Sequence, residues 1–314
     1  MSSFLDRIRA RFAGAGETHS GQEERPRILK KNERRQLRIA AHVDAERIAR
    51  EEQRRLLDLV QQLPFEARAL VQADLSLALL AEPLRIETAK GSLRFALLGE
   101  TSARRCANLL TKQPETIAWI DAFQPSGVFW DIGANVGPYT LYAALRSDIR
   151  VVAFEPAAVN YFLLTANCEL NRFGRRVDCL PLALGANGSV AHLKVSQFEP
   201  GRSFSFRLKK RRPFSSEQAA LIVSIDQLIE DYGFTCPNYI KIDVPALTEA
   251  IIEGAARTLR HPELRELHIE ADPRSAKGNR IVEMLSRAGF AVAAHHVRSE
   301  TSDITFARQS HNPT

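Results

Sequence analysis

The sequence lacks any apolar run long enough to cross a membrane. Its first residues, MSSFLDRIRARF, carry charges where a secretion signal needs an unbroken apolar stretch. We therefore expect a cytoplasmic protein without a membrane span. Methionine and tryptophan occur only twice each, but 45% of the 314 residues are hydrophobic, which is enough to bury a full core and excludes extended disorder for most of the chain.

Cysteine is scarce as well, with four residues and no CxxC pair. None of them has a histidine partner at metal-ligand spacing, so the sequence predicts neither a zinc site nor a disulfide framework. We expect reduced, mostly buried thiols. The four positions are Cys106, Cys168, Cys179 and Cys236.

Positive charge is unevenly distributed. The net charge is +6, but residues 1–57 hold 14 Lys/Arg against 9 Asp/Glu, whereas the rest of the chain holds 29 against 28. A nearly neutral globular part does not favour a nucleic-acid partner, and none is expected. The local exception is a cationic cluster, which is either a solvated loop or a surface for an anionic substrate. Its members are Arg207, Lys209, Lys210, Arg211 and Arg212.

Composition divides the chain into three parts. Residues 1–35 mix Gly, Ser, Arg and Glu with little periodicity, which predicts a flexible basic arm. Residues 36–83 are rich in Ala, Arg, Glu, Gln and Leu and predict a helical extension interrupted at Pro64. This extension could mediate self-association or, as a basic amphipathic helix, touch acidic lipid. We place the catalytic domain in residues 84–314.

Apolar strand-like runs and helical patterns alternate from residue 128 onward. Such alternation predicts an α/β fold with a doubly wound, mostly parallel sheet and helices on both faces. A polar insertion over 185–222 interrupts the rhythm. The predicted strands are 128–132, 150–154, 177–182, 239–244, 264–270, 290–296 and 303–306, and the predicted helices are 138–146, 157–171, 246–259 and 275–288.

The most informative segment is VFWDIGANVG, residues 128–137, which places a tight glycine turn between a strand and a helix. Gly133 lacks a Cβ and would let a ligand approach the backbone, next to Ala134, while Gly137 would let the helix start close to the strand. Asn135 occupies the place of a middle glycine, and asparagine tolerates left-handed backbone angles.

An acidic residue, Glu155, ends the second strand 24 residues after Asp131. In this position a carboxylate can accept hydrogen bonds from both ribose hydroxyls of an adenosine-containing cofactor. The alternative is an ordinary acid at a helix N-terminus, followed by Pro156 at the first helical position. Together, the turn and the acid indicate nucleoside binding.

The turn also bears on which nucleoside cofactor binds. Dinucleotide folds offer free amides to a pyrophosphate and usually have the pattern GxGxxG, whereas this turn is GxNxG behind an acid. Asp131 would repel a pyrophosphate but could contact the ammonium group of S-adenosylmethionine (SAM), directly or through water. Its structural alternative is a strand-end acid that holds the turn amides.

These residues resemble the FkbM-type methyltransferases, a SAM-dependent class I family whose members mostly methylate hydroxyl groups on sugars and polyketide-like metabolites. The resemblance implies a seven-stranded Rossmann-like sheet, SAM as cofactor and a saccharide-like or metabolite acceptor. It rests on the order and spacing of motifs over roughly 160 residues, namely KQPET (112–116), WDIGANVG (130–137), FEP (154–156), Ala166, Asn167, Asn171, ALG (183–185), SID (224–226), KIDV (241–244) and GA (254–255).

The sequence departs from the family after its KIDV motif. The family usually continues with a Glu-Gly pair and a further acid, but this chain has Pro245 and Ala246, followed by Leu247 and Thr248. With one expected acid missing, no metal site is predicted. The change also leaves open a SAM-binding pseudoenzyme or regulatory protein with reduced catalysis.

Strand-terminal polar residues are the candidates for catalysis, because sites of open α/β sheets lie beyond the carboxyl ends of the strands. Asp243 and Lys241 are two residues apart and therefore share one face of a strand. Glu270 is a second candidate for a base or substrate contact. The alternative for each is a purely structural acid or ion pair.

The hypothesis is thus a SAM-dependent O-methyltransferase acting on a hydroxyl of a saccharide or related metabolite. Besides the pseudoenzyme, an NAD-dependent oxidoreductase is the remaining alternative, and an RNA methyltransferase is a weaker variant suggested only by the basic arm.

Overall fold

The structure is a computed structural model. It describes residues 47–80, 82–195, 199–202, 216–272, 274–297 and 302–309. The predicted basic arm and the cationic cluster lie outside the described residues. The chain divides into two compact units, Met1–Gln72 and Ala73–Thr314. None of the described helices is long and apolar enough to cross a membrane.

The first unit contains helix α1 (residues 47–61) and the beginning of helix α2 (Phe65–Leu80). The predicted break at Pro64 is confirmed. The Arg68 guanidinium donates hydrogen bonds of 2.7 and 3.0 Å to the carbonyls of Gln61 and Leu63, which fixes the turn between the helices. Self-association through this extension stays a prediction.

The second unit alternates strands and helices as the sequence predicts. Its strands are β1 (Leu84–Thr88), β2 (Gly91–Phe95), β3 (Val128–Ile132), β4 (Arg150–Phe154), β5 (Val177–Leu180), β6 (Ala183–Leu184), β7 (Ser189–Val195), β8 (Ser216–Val223), β9 (Tyr239–Ile242), β10 (Glu266–Glu270), β11 (Phe290–Val297) and β12 (Ser302–Arg308). Its helices after α2 are α3 (Glu100–Ala107), α4 (Leu109–Lys112), α5 (Pro114–Asp121), α6 (Pro138–Ala144), α7 (Ala158–Leu170), α8 (Ile225–Glu230), α9 (Thr248–Glu253) and α10 (Ala276–Arg287), with a 3-10 turn at Thr258–Arg260.

Seven strands form the central sheet in the order β11-β12-β10-β9-β3-β4-β5. The pairs from β10 to β5 are parallel, and only β12 runs against both of its neighbours. This arrangement confirms the predicted doubly wound, mostly parallel sheet. It also places β3 between β4 and β9, so the carboxyl ends of the strands that carry the predicted site residues are adjacent.

Two hydrophobic cores lie on the two faces of the sheet. Because successive side chains of a strand point to opposite faces, Phe129 of β3 packs into one core and Trp130 into the other. Residues on β4 divide in the same way, with Val151 in the first core and Val152 in the second. Burial on both faces explains why these strands are almost continuously apolar.

The insertion predicted over 185–222 contains β7 and β8, which form a smaller three-stranded sheet with β6. The β7–β8 pair is antiparallel, from Ser189 opposite Ile222 to Val195 opposite Ser216. The connection between the two strands includes residues 199–202, which lie close to the glycine turn.

Three predicted element boundaries are wrong in β9 and the helix that follows it. The strand ends at Ile242 and not at residue 244, and the predicted helix 246–259 is shortened to α9, Thr248–Glu253. Residues 245–247 form a turn before α9. Gly254 caps the carboxyl end of α9. Its carbonyl accepts a hydrogen bond of 2.9 Å from the Asp226 amide, which takes the place of a further hydrogen bond within the helix.

Gly254 also brings two of the family motifs into contact. A Cβ built on Gly254 would lie 2.1 Å from the carbonyl oxygen of Gly185, although the two residues are far apart in sequence. The ALG and GA motifs therefore form one backbone-to-backbone contact. Because the Cβ on Gly254 would meet the Gly185 backbone, no flexible side chain is there to move aside.

We expect Gly254→Ala to lower the free energy of unfolding by roughly 2–3 kcal/mol, because overpacking a closed contact forces the backbone to shift. Gly174→Ala is the matched control, since a Cβ at Gly174 would meet no atom within 4 Å. The control should change stability by less than about 1 kcal/mol. Urea unfolding of both variants measures the difference, and equal losses would contradict the contact.

Candidate functional site

Three acidic residues stand at or next to the carboxyl ends of three neighbouring strands. Asp131 lies on β3, Glu155 directly follows β4 and Asp243 directly follows β9. The Lys241 position on β9 is paired with Asp131 on β3. The sheet therefore brings together the residues that the sequence predicts for cofactor binding and catalysis.

The glycine turn has three residues with left-handed backbone angles. The φ angles of Gly133, Asn135 and Gly137 are +82°, +55° and +88°. The prediction that Asn135 takes a left-handed conformation in place of a glycine is confirmed. Its side-chain oxygen accepts a hydrogen bond of 3.0 Å from the Val136 amide, which is the kind of local bond that makes asparagine suitable here.

The reason for Gly133 differs from the sequence-based expectation. A Cβ on Gly133 would lie 2.9 Å from the Asp243 carbonyl oxygen, so the residue makes room for the end of β9 and not only for a ligand. The amides of Gly133 and Ala134 both donate to the Phe154 carbonyl at 3.0 Å. These two amides are thus used within the protein, which differs from a pyrophosphate cradle.

Gly137 allows helix α6 to begin close to a neighbouring helix. A Cβ on Gly137 would lie 2.6 Å from Leu164 of α7 and 2.9 Å from Leu141 of α6. Gly137 therefore allows close packing against α7, in addition to the predicted close start of α6 after the strand. Pro138 follows at the first position of the helix, where its missing N–H is not needed.

Glu155 is buried, with 6% of its surface exposed, and its carboxylate is held by neutral donors. The amides of Asn135 and Ala157 each donate to it at 2.9 Å, and the side-chain amide of Asn160 lies at 3.5 Å. Burial raises the pKa of Glu155 to about 7, against its ordinary value of 4.5, although these hydrogen bonds lower it. Within the part of the chain that the structure describes, these three hydrogen-bond donors are uncharged, and the more distant charge of Arg105 also lowers the pKa of Glu155.

The arrangement around Glu155 fits the adenosine part of SAM. A buried carboxylate that receives only N–H donors gains from two further hydroxyl donors, which is what a ribose supplies. The backbone amide of Asn135 and the side-chain amide of Asn160 are two of its donors from the protein. Placing the ribose at Glu155, and the turn residues at the cofactor, stays a proposal.

Asp131 is completely buried and both of its carboxylate oxygens have protein partners. The Thr140 hydroxyl donates to one oxygen at 2.7 Å, and the Lys241 ammonium lies 3.4 Å from the other. The sequence predicts that Asp131 contacts the cofactor ammonium or holds the turn amides. In the structure its partners are Thr140 and Lys241, and a cofactor contact stays a prediction.

Lys241 is the buried cation of the site. Its ammonium lies 3.4 Å from both Asp131 and Asp243 and 5.1 Å from the centre of the Tyr139 ring. Burial alone would lower the pKa of Lys241, but the two carboxylates outweigh it and raise the pKa above its ordinary value. The contact brings Lys241 and Asp243 together as their two-residue spacing predicts, although the strand ends at Ile242 and Asp243 lies just beyond it.

Asp243 is the member of the group that reaches the surface, with 22% of its side chain exposed. Burial would raise its pKa, but the charge of Lys241 and a hydrogen bond with Glu270 hold the pKa below its ordinary range. Arg105 and Lys112 add smaller effects in the same direction. Glu270, the second catalytic candidate, therefore contacts Asp243, and the carboxylate of Asp243 carries its charge at neutral pH.

The residues that replace the usual acidic motif after Asp243 are contacted by a lysine of α10. The Lys277 ammonium donates to the carbonyls of Pro245 and Ala246, the latter at 2.9 Å. Within the described ranges no group of three or more His, Cys, Asp or Glu side chains is arranged to hold a metal ion.

Other motif residues stabilise the backbone around the site through buried hydrogen bonds. The Asn167 side chain donates to the Val136 carbonyl at 2.8 Å and accepts from the Ala96 amide at 2.7 Å, which ties α7 to the turn. Asp226 accepts hydrogen bonds of 2.9 Å from the amides of Arg257 and Thr258. These polar residues are buried and structural.

Sequence reasoning missed Asn160, which contacts Glu155 and lies in the first turn of α7. It also missed Thr140, the hydroxyl partner of Asp131, in the first turn of α6. The available signal was helical spacing, because a polar residue in the first turn after a strand-end acid lies close to that acid. Arg105 was not detectable, since α3 precedes β3 by more than 20 residues.

Comparisons with known proteins agree with this geometry. The Methyltransferase FkbM domain matches residues 131–292. Hexuronic acid methyltransferase AglP of Haloferax volcanii is 23% identical over 232 residues, which cover 73% of this chain and 90% of the relative. The 31-O-demethyl-FK506 methyltransferase FkbM of Streptomyces tacrolimicus is 25% identical over 198 residues, covering 54% of this chain and 75% of the relative.

Solved structures are similar at a greater distance. Aeropyrum pernix fibrillarin with bound S-adenosyl-L-methionine has a TM-score of 0.42 and 10% identity, over 73% of this chain and 84% of its own. A precorrin-6y C5,15-methyltransferase from Geobacter metallireducens has a TM-score of 0.41 and 17% identity, over 68% and 93%. The match to residues 131–292 covers more than half of the chain and includes the whole site, and the chain therefore belongs to the FkbM family and is a methyltransferase that uses SAM.

Proposed function

We propose that this methyltransferase acts on a hydroxyl group of a saccharide or a related small metabolite. The observation that carries the proposal is Asp243, an ionised and partly exposed carboxylate at the end of β9, one strand away from the glycine turn. A carboxylate in this place can accept a hydrogen bond from an incoming hydroxyl group and hold it for an in-line approach.

Asp243 acts on the acceptor proton in this mechanism. SAM, when bound, supplies an electrophilic methyl group on a positively charged sulfur. The acceptor hydroxyl donates to Asp243, so a lone pair of its oxygen can be directed at that methyl group. Because Lys241 holds the pKa of Asp243 low, the carboxylate is a weak base. It takes the proton only as the new C–O bond forms and makes the oxygen acidic, while the methyl–sulfur bond breaks and the sulfur leaves as an uncharged thioether.

The other site residues position the reactants. Glu155 accepts the ribose hydroxyls, and Asp131 holds Lys241, which in turn fixes Asp243. Removal of the charge of Asp131, Lys241 or Asp243 should therefore disturb the position of the residue that it contacts. Lys241 is therefore a positioning residue, whereas Asp243 contacts the acceptor.

Positive charge that acts on Asp243 favours an acceptor that carries a negative group. The charges of Arg105 and Lys112 both lower the pKa of Asp243, so the proposed acceptor site lies in the positive potential of these two side chains. Cationic groups favour acceptors with a carboxylate or phosphate. The name of one relative, a hexuronic acid methyltransferase, points to an acidic sugar of this kind.

Asp243→Asn tests the proposal. We expect kcat to fall about a hundredfold, because the amide neither carries the charge nor removes the proton, while the Kd for SAM changes less than about threefold. Methyl transfer from labelled SAM would be measured on a methyl hexuronide and on the matched methyl hexoside, with the hexuronide preferred. Asp178→Asn, an exposed carboxylate on β5, is the control.

Two outcomes would contradict this function. Full activity of Asp243→Asn would remove the carboxylate from the mechanism. Tight SAM binding without turnover on any hydroxyl acceptor would instead favour the pseudoenzyme, the alternative motivated by Pro245 and Ala246 in place of the usual acidic motif.

A further inference from the structure

Residues 199–202, here called the strap, are joined to the glycine turn by side-chain amides. The Arg202 carbonyl accepts hydrogen bonds of 3.0 Å from the side-chain amides of both Asn135 and Asn160. The Gly201 amide in turn donates to the Asn160 side-chain oxygen at 2.8 Å. Asn160 therefore binds the strap through both ends of its amide group.

The other side of the strap packs on helix α3. The Thr101 hydroxyl donates to the Glu199 carboxylate, and the Arg105 guanidinium donates to the Gly201 carbonyl. Gly201 has a φ of +88°, and a Cβ there would lie 2.7 Å from the Ser102 amide nitrogen. Only glycine fits this backbone-to-backbone contact, so the strap bridges α3 and the turn in one defined position.

The bridge lies directly beside the Glu155 carboxylate. Asn160 contacts Glu155 as well as Arg202, and Asn135 contacts Glu155 through its backbone amide and Arg202 through its side chain. With the strap in place, Glu155 is 6% exposed and Asn160 is 1% exposed. This burial leaves little of the Glu155 residue open to the two hydroxyl groups of a ribose.

We propose that the strap is a gate over the cofactor site, which must open before SAM enters and which Asn160 and Asn135 latch in the closed state. The proposal rests on the proposed placement of the ribose at Glu155. The latch consists of a few hydrogen bonds that water can replace, so its opening is feasible. A gate that is mostly closed reduces the apparent association rate by the fraction of molecules that are open.

The gate predicts a particular kinetic change when its α3 side is weakened. Gly201→Ala adds a Cβ that would clash with the Ser102 backbone and so pushes the strap away from α3. Thr101→Val removes the donor to Glu199. Neither substitution changes Glu155 itself. For both variants we expect the association rate of SAM to rise about tenfold with the dissociation rate changed less than about twofold, so that the affinity increases. Stopped-flow fluorescence or surface plasmon resonance with SAM would measure both rates.

Gly233→Ala is the matched control. Gly233 also has a positive φ, +72°, but a Cβ there would meet nothing within 4 Å, so the substitution adds backbone strain away from the strap. It should leave both SAM rates unchanged. Thermal unfolding of all the variants would show that each is folded at the temperature of the kinetic experiment.

Hydrogen exchange of the Gly201 amide provides a second measurement. Because this amide donates to Asn160 in the closed state, the gate predicts that saturating SAM increases its exchange rate. Faster SAM dissociation in Gly201→Ala with an unchanged association rate, or greater protection of the Gly201 amide with SAM, would make the strap a wall of the bound site and overturn the gate. Unchanged rates in both variants would overturn it as well.

These failures are distinguishable from failure of the proposed cofactor placement. If Glu155→Gln binds SAM as tightly as the wild type, the ribose is not at Glu155 and the gate has no site to cover. If Glu155→Gln loses binding and the strap variants keep wild-type rates, the cofactor placement stands and the gate alone is overturned.

Discussion

Lys241→Met should lower the free energy of unfolding by about 3–5 kcal/mol at pH 7, because it leaves the buried Asp131 and the partly exposed Asp243 without the cation that they share. Asp131 is completely buried, and the carboxylates of Asp131 and Asp243 each lie 3.4 Å from the Lys241 ammonium. Methionine fills a similar volume, so the loss reports charge and not a cavity. Urea unfolding gives the value directly.

The loss should depend on pH in a defined direction. In the wild type the pKa of Asp243 is held below its ordinary value, so its contribution to stability is present above that value and is lost as the pH falls through the lowered pKa. In Lys241→Met the uncompensated carboxylates bind protons more readily. The difference between wild type and variant should therefore narrow as the pH is lowered from 7 towards about 4.

Lys90→Met is the control for Lys241→Met. Lys90 pairs with Asp121 near the surface, where the two side chains are 26% and 40% exposed. A surface pair of this kind contributes at most about 1 kcal/mol. Equal losses in the two lysine variants would show that the pair of Lys241 with Asp131 and Asp243 has no special role.

Glu155→Gln should reduce the affinity for SAM by at least about a hundredfold. Hydrogen bonds to a charged acceptor contribute roughly 1.5–3 kcal/mol each, and the ribose loses such a bond when one carboxylate oxygen becomes an NH₂ donor. The backbone amides of Asn135 and Ala157 already occupy positions on this carboxylate, so the amide cannot restore both acceptors by rotating.

The same substitution should change the pH dependence of stability. Because the pKa of Glu155 is raised to about 7 in the folded protein, the folded state binds the proton more tightly than the unfolded state. The wild type therefore loses roughly 3 kcal/mol as the pH rises from about 4.5 to about 7, and this loss is absent in Glu155→Gln. The variant should gain stability relative to the wild type between pH 5 and pH 8. Parallel stability profiles would contradict the raised pKa.

Local spacing was sufficient to predict the parts of the site that lie on one strand or one turn. The left-handed Asn135 and the Lys241–Asp243 face follow from backbone sterics and from the two-residue period of a strand. The same period and the alternation of strands with helices predicted the parallel sheet. These features depend on neighbours within a few residues, which a sequence displays directly.

Contacts between distant segments were not predictable in this way. The Asn160–Arg202 bond spans 42 residues and the contact of Gly254 with Gly185 joins two different motifs. Gly133 looked like a place for a ligand because the sequence does not show that the end of β9 approaches it. Glu270 was named as a separate candidate, whereas the fold places it against Asp243. Each of these depends on how the sheet brings strand ends together.

Calorimetric titration of SAM into the wild type, Glu155→Gln and Glu169→Gln tests the central claim most directly. Glu169 is an exposed carboxylate near the other end of α7 and serves as the control. We predict wild-type affinity for Glu169→Gln and at least about a hundredfold weaker binding for Glu155→Gln. Equal SAM affinity in all three proteins would contradict a cofactor site built around Glu155.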